Sequence, residues 1–162
     1  MTMAKTIIRP ATHDDLDNIA EIGLALHSES THFNRCGYST EKVALFLGSL
    51  ILSEDGLVLV VERDGSVIGG IAASAVEQWF SFDKIAVDVS VFILPEHRGG
   101  MAAIRLLHAY RDWAKAKGVV YALAGISTGI NCEKTQALYE RIGMSYLGPI
   151  MAFSMEREKN GS

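Results

Sequence analysis

Between Pro95 and Ala103 the chain reads Pro-Glu-His-Arg-Gly-Gly-Met-Ala-Ala, a combination suited to holding phosphate. Gly99 and Gly100 lack a Cβ, so the backbone can take positive φ and a diphosphate can come within hydrogen-bonding distance of main-chain N–H groups. Arg98 sets a permanent charge at the rim, while Ala102 and Ala103 keep the following turn thin. A helix starting here would add its unpaired N-terminal amides and the positive end of its dipole. The plainer alternative is a tight turn beside a solvated arginine. What separates the two is the pair of elements flanking the loop.

Those elements are well marked. Upstream, Ile85, Val87, Val89, Val91 and Ile93 alternate with Ala86, Asp88, Ser90, Phe92 and Leu94, the period-2 pattern of a β-strand. Downstream, Leu106, Leu107, Tyr110, Trp113 and Ala114 recur at helical spacing, with Arg105, Arg111, Asp112, Lys115 and Lys117 on the other face, up to Gly118. The unit is strand, phosphate loop, helix, and it predicts a phosphorylated ligand. There is no Gly-x-x-x-x-Gly-Lys-Ser/Thr run and no Gly-x-Gly-x-x-Gly after the first strand, which disfavours a nucleoside triphosphatase or a dinucleotide oxidoreductase.

The rest of the chain must position this unit. With 162 residues, 49% hydrophobic and 21% charged, the expectation is one globular domain over residues 1–162, ending in a polar tail at 156–162. The net charge of −4 argues against nucleic acid or an anionic membrane as the main partner. No apolar run is long enough to span a bilayer, and Met1-Thr2-Met3-Ala4-Lys5 lacks a signal-peptide core, so a cytoplasmic location is expected. Cys36 and Cys132 are far apart and read as free thiols, and the histidines form no ligand spacing, so no metal is implied.

Lys5 to Arg9 predicts a first strand closed by Pro10. Thr12 is placed to cap a helix through Leu16, Ile19, Ile22, Leu24 and Leu26 to about His27. Ser28 to Tyr38 reads as a loop, and Ser39 as the cap of a second helix with Val43, Leu45, Phe46, Leu47, Leu50 and Ile51 on its apolar side. Leu57–Glu62 and Val67–Trp79 form a hairpin about Asp64-Gly65. After the central unit come a strand over Val119–Ile126, a helix over Asn131–Gly143 and a terminal pair of strands, Met144–Leu147 and Ile150–Met155, around Gly148-Pro149. The predicted order is β, α, α, β, β, β, α, β, α, β, β.

This order, with three segments quoted from the chain, resembles the GCN5-related N-acetyltransferase (GNAT) superfamily. The segments are Ile8-Arg9-Pro10-Ala11-Thr12 with Asp14-Asp15-Leu16, then Val91 to Ala103, then Asn131 leading to Leu138-Tyr139-Glu140-Arg141-Ile142-Gly143-Met144. The resemblance implies an α/β fold with a mixed, mostly antiparallel sheet of six to seven strands and about four helices, splayed between the fourth and fifth strands. It implies acetyl-coenzyme A as cosubstrate. The family's loop, Gln/Arg-x-x-Gly-x-Gly/Ala, fits with Arg98 first and Ala103 last but Met101 at the middle glycine. Read one residue earlier, Gly100 and Ala102 fit and His97 stands first. The cosubstrate ligands implied are backbone groups of Val91, Phe92 and Ile93, the loop Arg98, Gly99, Gly100, Met101, Ala102 and Ala103, and Asn131, which precedes Tyr139 by eight positions.

Acetyl transfer to an amine needs a neutral nucleophile, a donor to the carbonyl oxygen and a proton for the departing thiolate. Tyr139 matches the family's tyrosine that protonates coenzyme A. For the base, Asp88, which shares a strand face with Ser90 and Phe92, stands beside a second candidate, Glu77. The expected activity is acetylation of a primary amine, on a small molecule or a protein, by direct attack in a ternary complex. A non-catalytic acyl-coenzyme A sensor is the alternative, and a partner-binding domain ranks last. Acceptor recognition is expected in the first two helices and their loop, Ser28–Thr40, with His32, Phe33, Asn34, Arg35 and Tyr38, and in the final hairpin. Met151, Phe153 and Met155 at alternate positions could support a homodimer or serve as this domain's own core face.

Overall fold

A computed structural model of the protein describes residues 5–155. Its strands are β1 (Thr6–Pro10), β2 (Gly56–Arg63), β3 (Ser66–Gln78), β4 (Ser81–Ile93) and β5 (Ala122–Leu123). Its α-helices are α1 (Leu16–Glu29), α2 (Thr40–Leu52), α3 (Ala102–Ala116) and α4 (Cys132–Arg141). The strands make one mixed five-stranded sheet in the order β1-β2-β3-β4-β5. Successive strands from β1 to β4 are antiparallel and β5 is parallel to β4. The expected tail at 156–162 lies outside the described residues.

Two apolar layers sandwich the sheet. Val58, Val60, Ala72 and Phe92 face α1 and α2 through Ile19, Ile22, Leu47 and Leu50. The alternate residues Leu59, Val61, Ile71, Ala73, Ala86 and Ile93 face α3 through Leu106, Tyr110 and Ala114. Both faces of β2 and β3 are therefore covered, which accounts for their near-continuous apolar runs. Asp64 and Gly65 take left-handed φ of +50° and +83°, as a two-residue hairpin turn requires. At the N-terminal end, the chain after Thr12 makes one 3-10 turn, His13–Asp15, before α1 begins. There Asp15 accepts two hydrogen bonds from Arg9, at 2.7 and 2.9 Å, and one from the Thr12 N–H at 2.8 Å.

Three sequence expectations give way. First, β4 contains a bulge: Ala72 pairs with Ser90 while Ala73 pairs with Asp88, leaving Val89 as the extra residue. The bulge reverses the alternation, so Asp88 lies on the α3 face with Ala86, and Ser90 and Phe92 lie on the α1/α2 face. Second, the strand expected over Val119–Ile126 is reduced to Ala122–Leu123, because the side chains of Asp88 and Tyr110 capture groups that would extend its ladder. Third, neither Met144–Leu147 nor Ile150–Met155 forms a strand, so the sheet has five strands, not six to seven. A two-residue β5 offers too short an edge to template a further strand, and Pro149 contributes no donor. No helix among the described residues is long and apolar enough to cross a membrane.

Candidate active site

The site begins where β4 and β5 part. They pair only at Ala86 with Ala122 and Val87 with Leu123. Beyond that point the Gly125 N–H donates to the Asp88 carboxylate at 2.9 Å, and the Tyr110 hydroxyl donates to the Leu123 carbonyl at 2.8 Å. Each side chain takes a backbone group that would otherwise continue the ladder, so the strands splay. A cleft of about 580 Å³ opens between them. Val91, Phe92 and Ile93 form one wall, and Leu138 and Tyr139 of α4 form the other. Leu26 and Phe33 reach the cleft from the α1/α2 side of the sheet, whereas Ala103 and Leu107 reach it from α3. The cleft thus runs through the sheet, with a mouth on each face.

The glycine loop closes the α3 side. A 3-10 turn, Pro95–His97, leads out of β4, and Gly99 takes a left-handed φ of +81°. The first α3 amide to find a helical acceptor is Arg105, which donates to Met101 O at 2.9 Å. The amides of Ala102, Ala103 and Ile104 are therefore the ones a helix start leaves for an anion. Arg98, Gly99, Gly100 and Ala103 line the cleft. Met101, 62% exposed, and Ala102, packed against the α3-side core, fall outside the lining. Asn131 stands at the N-cap of α4 with φ +45° and ψ +44°, its side chain making no capping bond, and it lines the cleft. A non-glycine residue in that region is strained, though asparagine tolerates it better than most.

Arg98 is not free to serve a phosphate alone. Its two terminal nitrogens donate to the Glu29 carboxylate at 2.6 and 2.7 Å, and its Nε donates to Ile93 O at 2.9 Å. The guanidinium holds Glu29 below the usual carboxylate range. The arginine expected at the diphosphate is thus strapped to the end of α1. Lys134 and Arg141 of α4 and His97 supply further cationic or ionisable groups along the cleft. Sequence reasoning passed over Lys134 and Arg141; their i and i+7 spacing about Leu138 was the available signal.

Tyr139 is buried, and burial first, with the Asp88 charge second, pushes its pKa up to about 12. It therefore stays protonated at neutral pH and can donate a proton. Asp88 is raised above the ordinary aspartate value by desolvation, against which the Gly125 N–H works. Desolvation makes the carboxylate a better proton acceptor. Glu77 is exposed, pairs across the hairpin with Lys84 and lies outside the cleft lining.

The loop after α1 covers the opposite mouth. Buried Ser30 donates to the Thr128 carbonyl at 2.5 Å, and the His32 ring meets the Ser127 carbonyl at 2.8 Å. These bonds clamp the turn carrying Phe33 over the cleft. Of the loop residues expected to recognise an acceptor, Phe33 lines it. Arg35 bonds Ser154 and Tyr38 bonds the Ala20 carbonyl, and His32, Asn34, Arg35 and Tyr38 are not in the lining. Nor do residues 144–155, where the final hairpin was expected, contribute to it. Among the described residues no group of three or more His, Cys, Asp or Glu could hold a metal ion, and Cys36 and Cys132 are free.

A family model described as the Acetyltransferase (GNAT) family matches residues 23–144, a span from mid-α1 to just past α4. No curated protein matches the chain. Among solved structures, aminoglycoside N-acetyltransferase AAC(6')-Iy in complex with CoA aligns with a TM-score of 0.76 at 15% identity, covering 96% of this chain and 98% of that one. Aminoglycoside 6'-N-acetyltransferase AAC(6')-IG from Acinetobacter haemolyticus aligns with a TM-score of 0.68 at 18% identity, covering 94% and 99%. A ribosomal-protein-alanine N-acetyltransferase from Brucella melitensis biovar Abortus 2308 aligns with a TM-score of 0.68 at 15% identity, covering 93% and 99%. At such identities the likeness is one of fold.

Proposed function

The chain belongs to the GNAT family of acetyltransferases, and from that premise we propose that residues 1–162 act as one cytoplasmic enzyme transferring acetyl from acetyl-coenzyme A to a primary amine of a small molecule, by direct attack in a ternary complex. The observation that carries the reading is the through-sheet cleft, with loop amides at one mouth, Tyr139 and Asp88 between, and a clamped loop at the other. The fold neighbours named for aminoglycoside acetylation, one of them holding CoA, support an amine-bearing small molecule. When bound, acetyl-coenzyme A supplies a thioester carbonyl open to attack.

The residues of the chain then divide the work. The α3 amides and Gly99-Gly100 hold the diphosphate, with Asn131 and the cleft wall formed by Val91, Phe92 and Ile93 along the arm. Asp88, directly or through water, takes the proton released as the amine nitrogen bonds to the carbonyl carbon. As the carbon–sulfur bond breaks, Tyr139 gives its proton to the thiolate. Titration calorimetry with coenzyme A tests the reading: saturable heat at micromolar to low millimolar concentration is expected, and none at millimolar concentration ends it. A homodimer is part of the proposal, since it would cover Met151, Phe153 and Met155, exposed by 85%, 91% and 80%. Light scattering should then return the mass of two chains, and a monomer at tens of micromolar would remove this part. A second reading, a non-catalytic acyl-coenzyme A sensor, is favoured by the commitment of Arg98 to Glu29. Binding without thiol release across a broad amine panel would select it.

A further inference from the structure

Resting on the acetyltransferase reading above, we infer that the acceptor is an amine carried on an uncharged, partly apolar body, not a polycation, and that Phe33 is a residue that sets this preference.

The charge of the cleft is the first ground. Asp88 is the one carboxylate among the described residues that line it, whereas the cations Lys134 and Arg141 also do so. Glu29 at the edge is already neutralised by Arg98, at 2.6 and 2.7 Å. The carboxylates of Asp17, Glu21 and Glu41 line a separate groove between α1 and α2 that shares no residue with the cleft. One carboxylate can partner one ammonium. Each further ammonium would be desolvated without a partner and would face the cations beyond.

The second ground is the wall of the acceptor mouth. Leu26, Phe33 and Phe92 contribute apolar surface, joined by the hydroxyls of Ser90, Ser127 and Thr128. Phe33 keeps 37% of its surface open. Its turn is fixed by Ser30, whose hydroxyl donates to Thr128 O and accepts from the Phe33 N–H at 3.0 Å. The backbone that carries the ring is thus fixed before any ligand arrives, which lowers the entropic cost of gripping an apolar group.

The test compares thiol release from acetyl-coenzyme A with 2-phenylethylamine, spermidine and kanamycin at equal ionic strength. It is paired with calorimetric titration of coenzyme A, and of 2-phenylethylamine into the coenzyme A-saturated protein. The inference expects kcat/KM for 2-phenylethylamine at least tenfold above either polycation. Phe33→Ala should weaken 2-phenylethylamine binding severalfold while leaving coenzyme A binding unchanged. Phe33→Asp, at the same half-open position, should shift preference toward spermidine by supplying a second carboxylate. If coenzyme A binds yet a polycation is preferred or equal, the inference is overturned while the acetyltransferase reading stands; if coenzyme A binds and no amine releases thiol, the inference is overturned and the sensor reading is favoured. If coenzyme A itself does not bind, the acetyltransferase reading falls and takes the inference with it.

Discussion

At the scale of single residues, the proposed chemistry depends on two groups whose surroundings differ from bulk water. Tyr139 is held protonated by burial, with a pKa of about 12, so its role as a proton donor predicts a specific outcome. Tyr139→Phe should lower kcat by about 10²-fold or more while coenzyme A affinity, measured by calorimetry, stays within error. Unchanged turnover would take the hydroxyl out of the mechanism. Arg98 supplies the second residue-scale prediction. Glu29 acts as an internal anion on the guanidinium that a diphosphate would use, so Glu29→Gln should tighten coenzyme A binding about tenfold, the lower end of what one charge-assisted contact is worth. Weaker binding would mean that the pair instead fixes the loop for its ligand.

At the scale of elements, the sheet is shaped by places where a side chain is missing. A Cβ on Gly70 would meet the Leu59 carbonyl oxygen on β2, and one on Gly69 would meet the Phe92 carbonyl oxygen on β4. The first half of β3 thus lies close to both neighbours because it is bare there. Gly70→Ala should destabilise the protein by about 1–3 kcal/mol, read as a lower midpoint in urea with an unchanged slope. A neutral result would show that the strands can move apart freely. The splay follows a different rule: it arises where side chains take backbone partners away from β5. Asp88 holds the Gly125 N–H and Tyr110 holds the Leu123 carbonyl, so the aspartate proposed as base also keeps the cleft open.

At the scale of the whole molecule, the sign of the pH dependence can be worked out from Asp15. Its carboxyl is lowered from 3.8 to about 2, chiefly by the Arg9 hydrogen bonds and against the cost of burial. A lowered folded-state value means that the unfolded chain binds the proton more readily, so stability rises with pH through this window. The contribution, about 2 kcal/mol by linkage, is complete above roughly pH 4 and fades as the pH falls toward 2. Chemical denaturation between pH 5 and 2 should show the loss, and Asp15→Asn should remove most of it. Equal acid slopes for the two proteins would locate the acid sensitivity elsewhere. The consequence reaches beyond one ion pair, because Arg9 also bonds Glu62 at 2.8 Å and so joins β1, β2 and the start of α1.

The local sequence by itself determined the helices, the hairpin turn at Asp64-Gly65, the glycine loop opening α3 and the apolar stripe of Leu106, Tyr110 and Ala114. Each of these is dictated by short-range periodicity or by backbone freedom at one or two residues. It also placed Tyr139 and Asn131 in a recognisable segment. Tertiary structure alone decided what needs partners distant in the chain. The bulge at Val89 turns Asp88 toward α3, because strand register is settled by the facing strand. The end of β5 depends on Asp88 and Tyr110, 37 and 13 residues from the groups they capture. The pairing of Arg98 with Glu29, 69 residues away, and the clamp that seats Phe33 are likewise invisible to any local pattern, since hydrogen bonds across a fold leave no periodic trace in the chain.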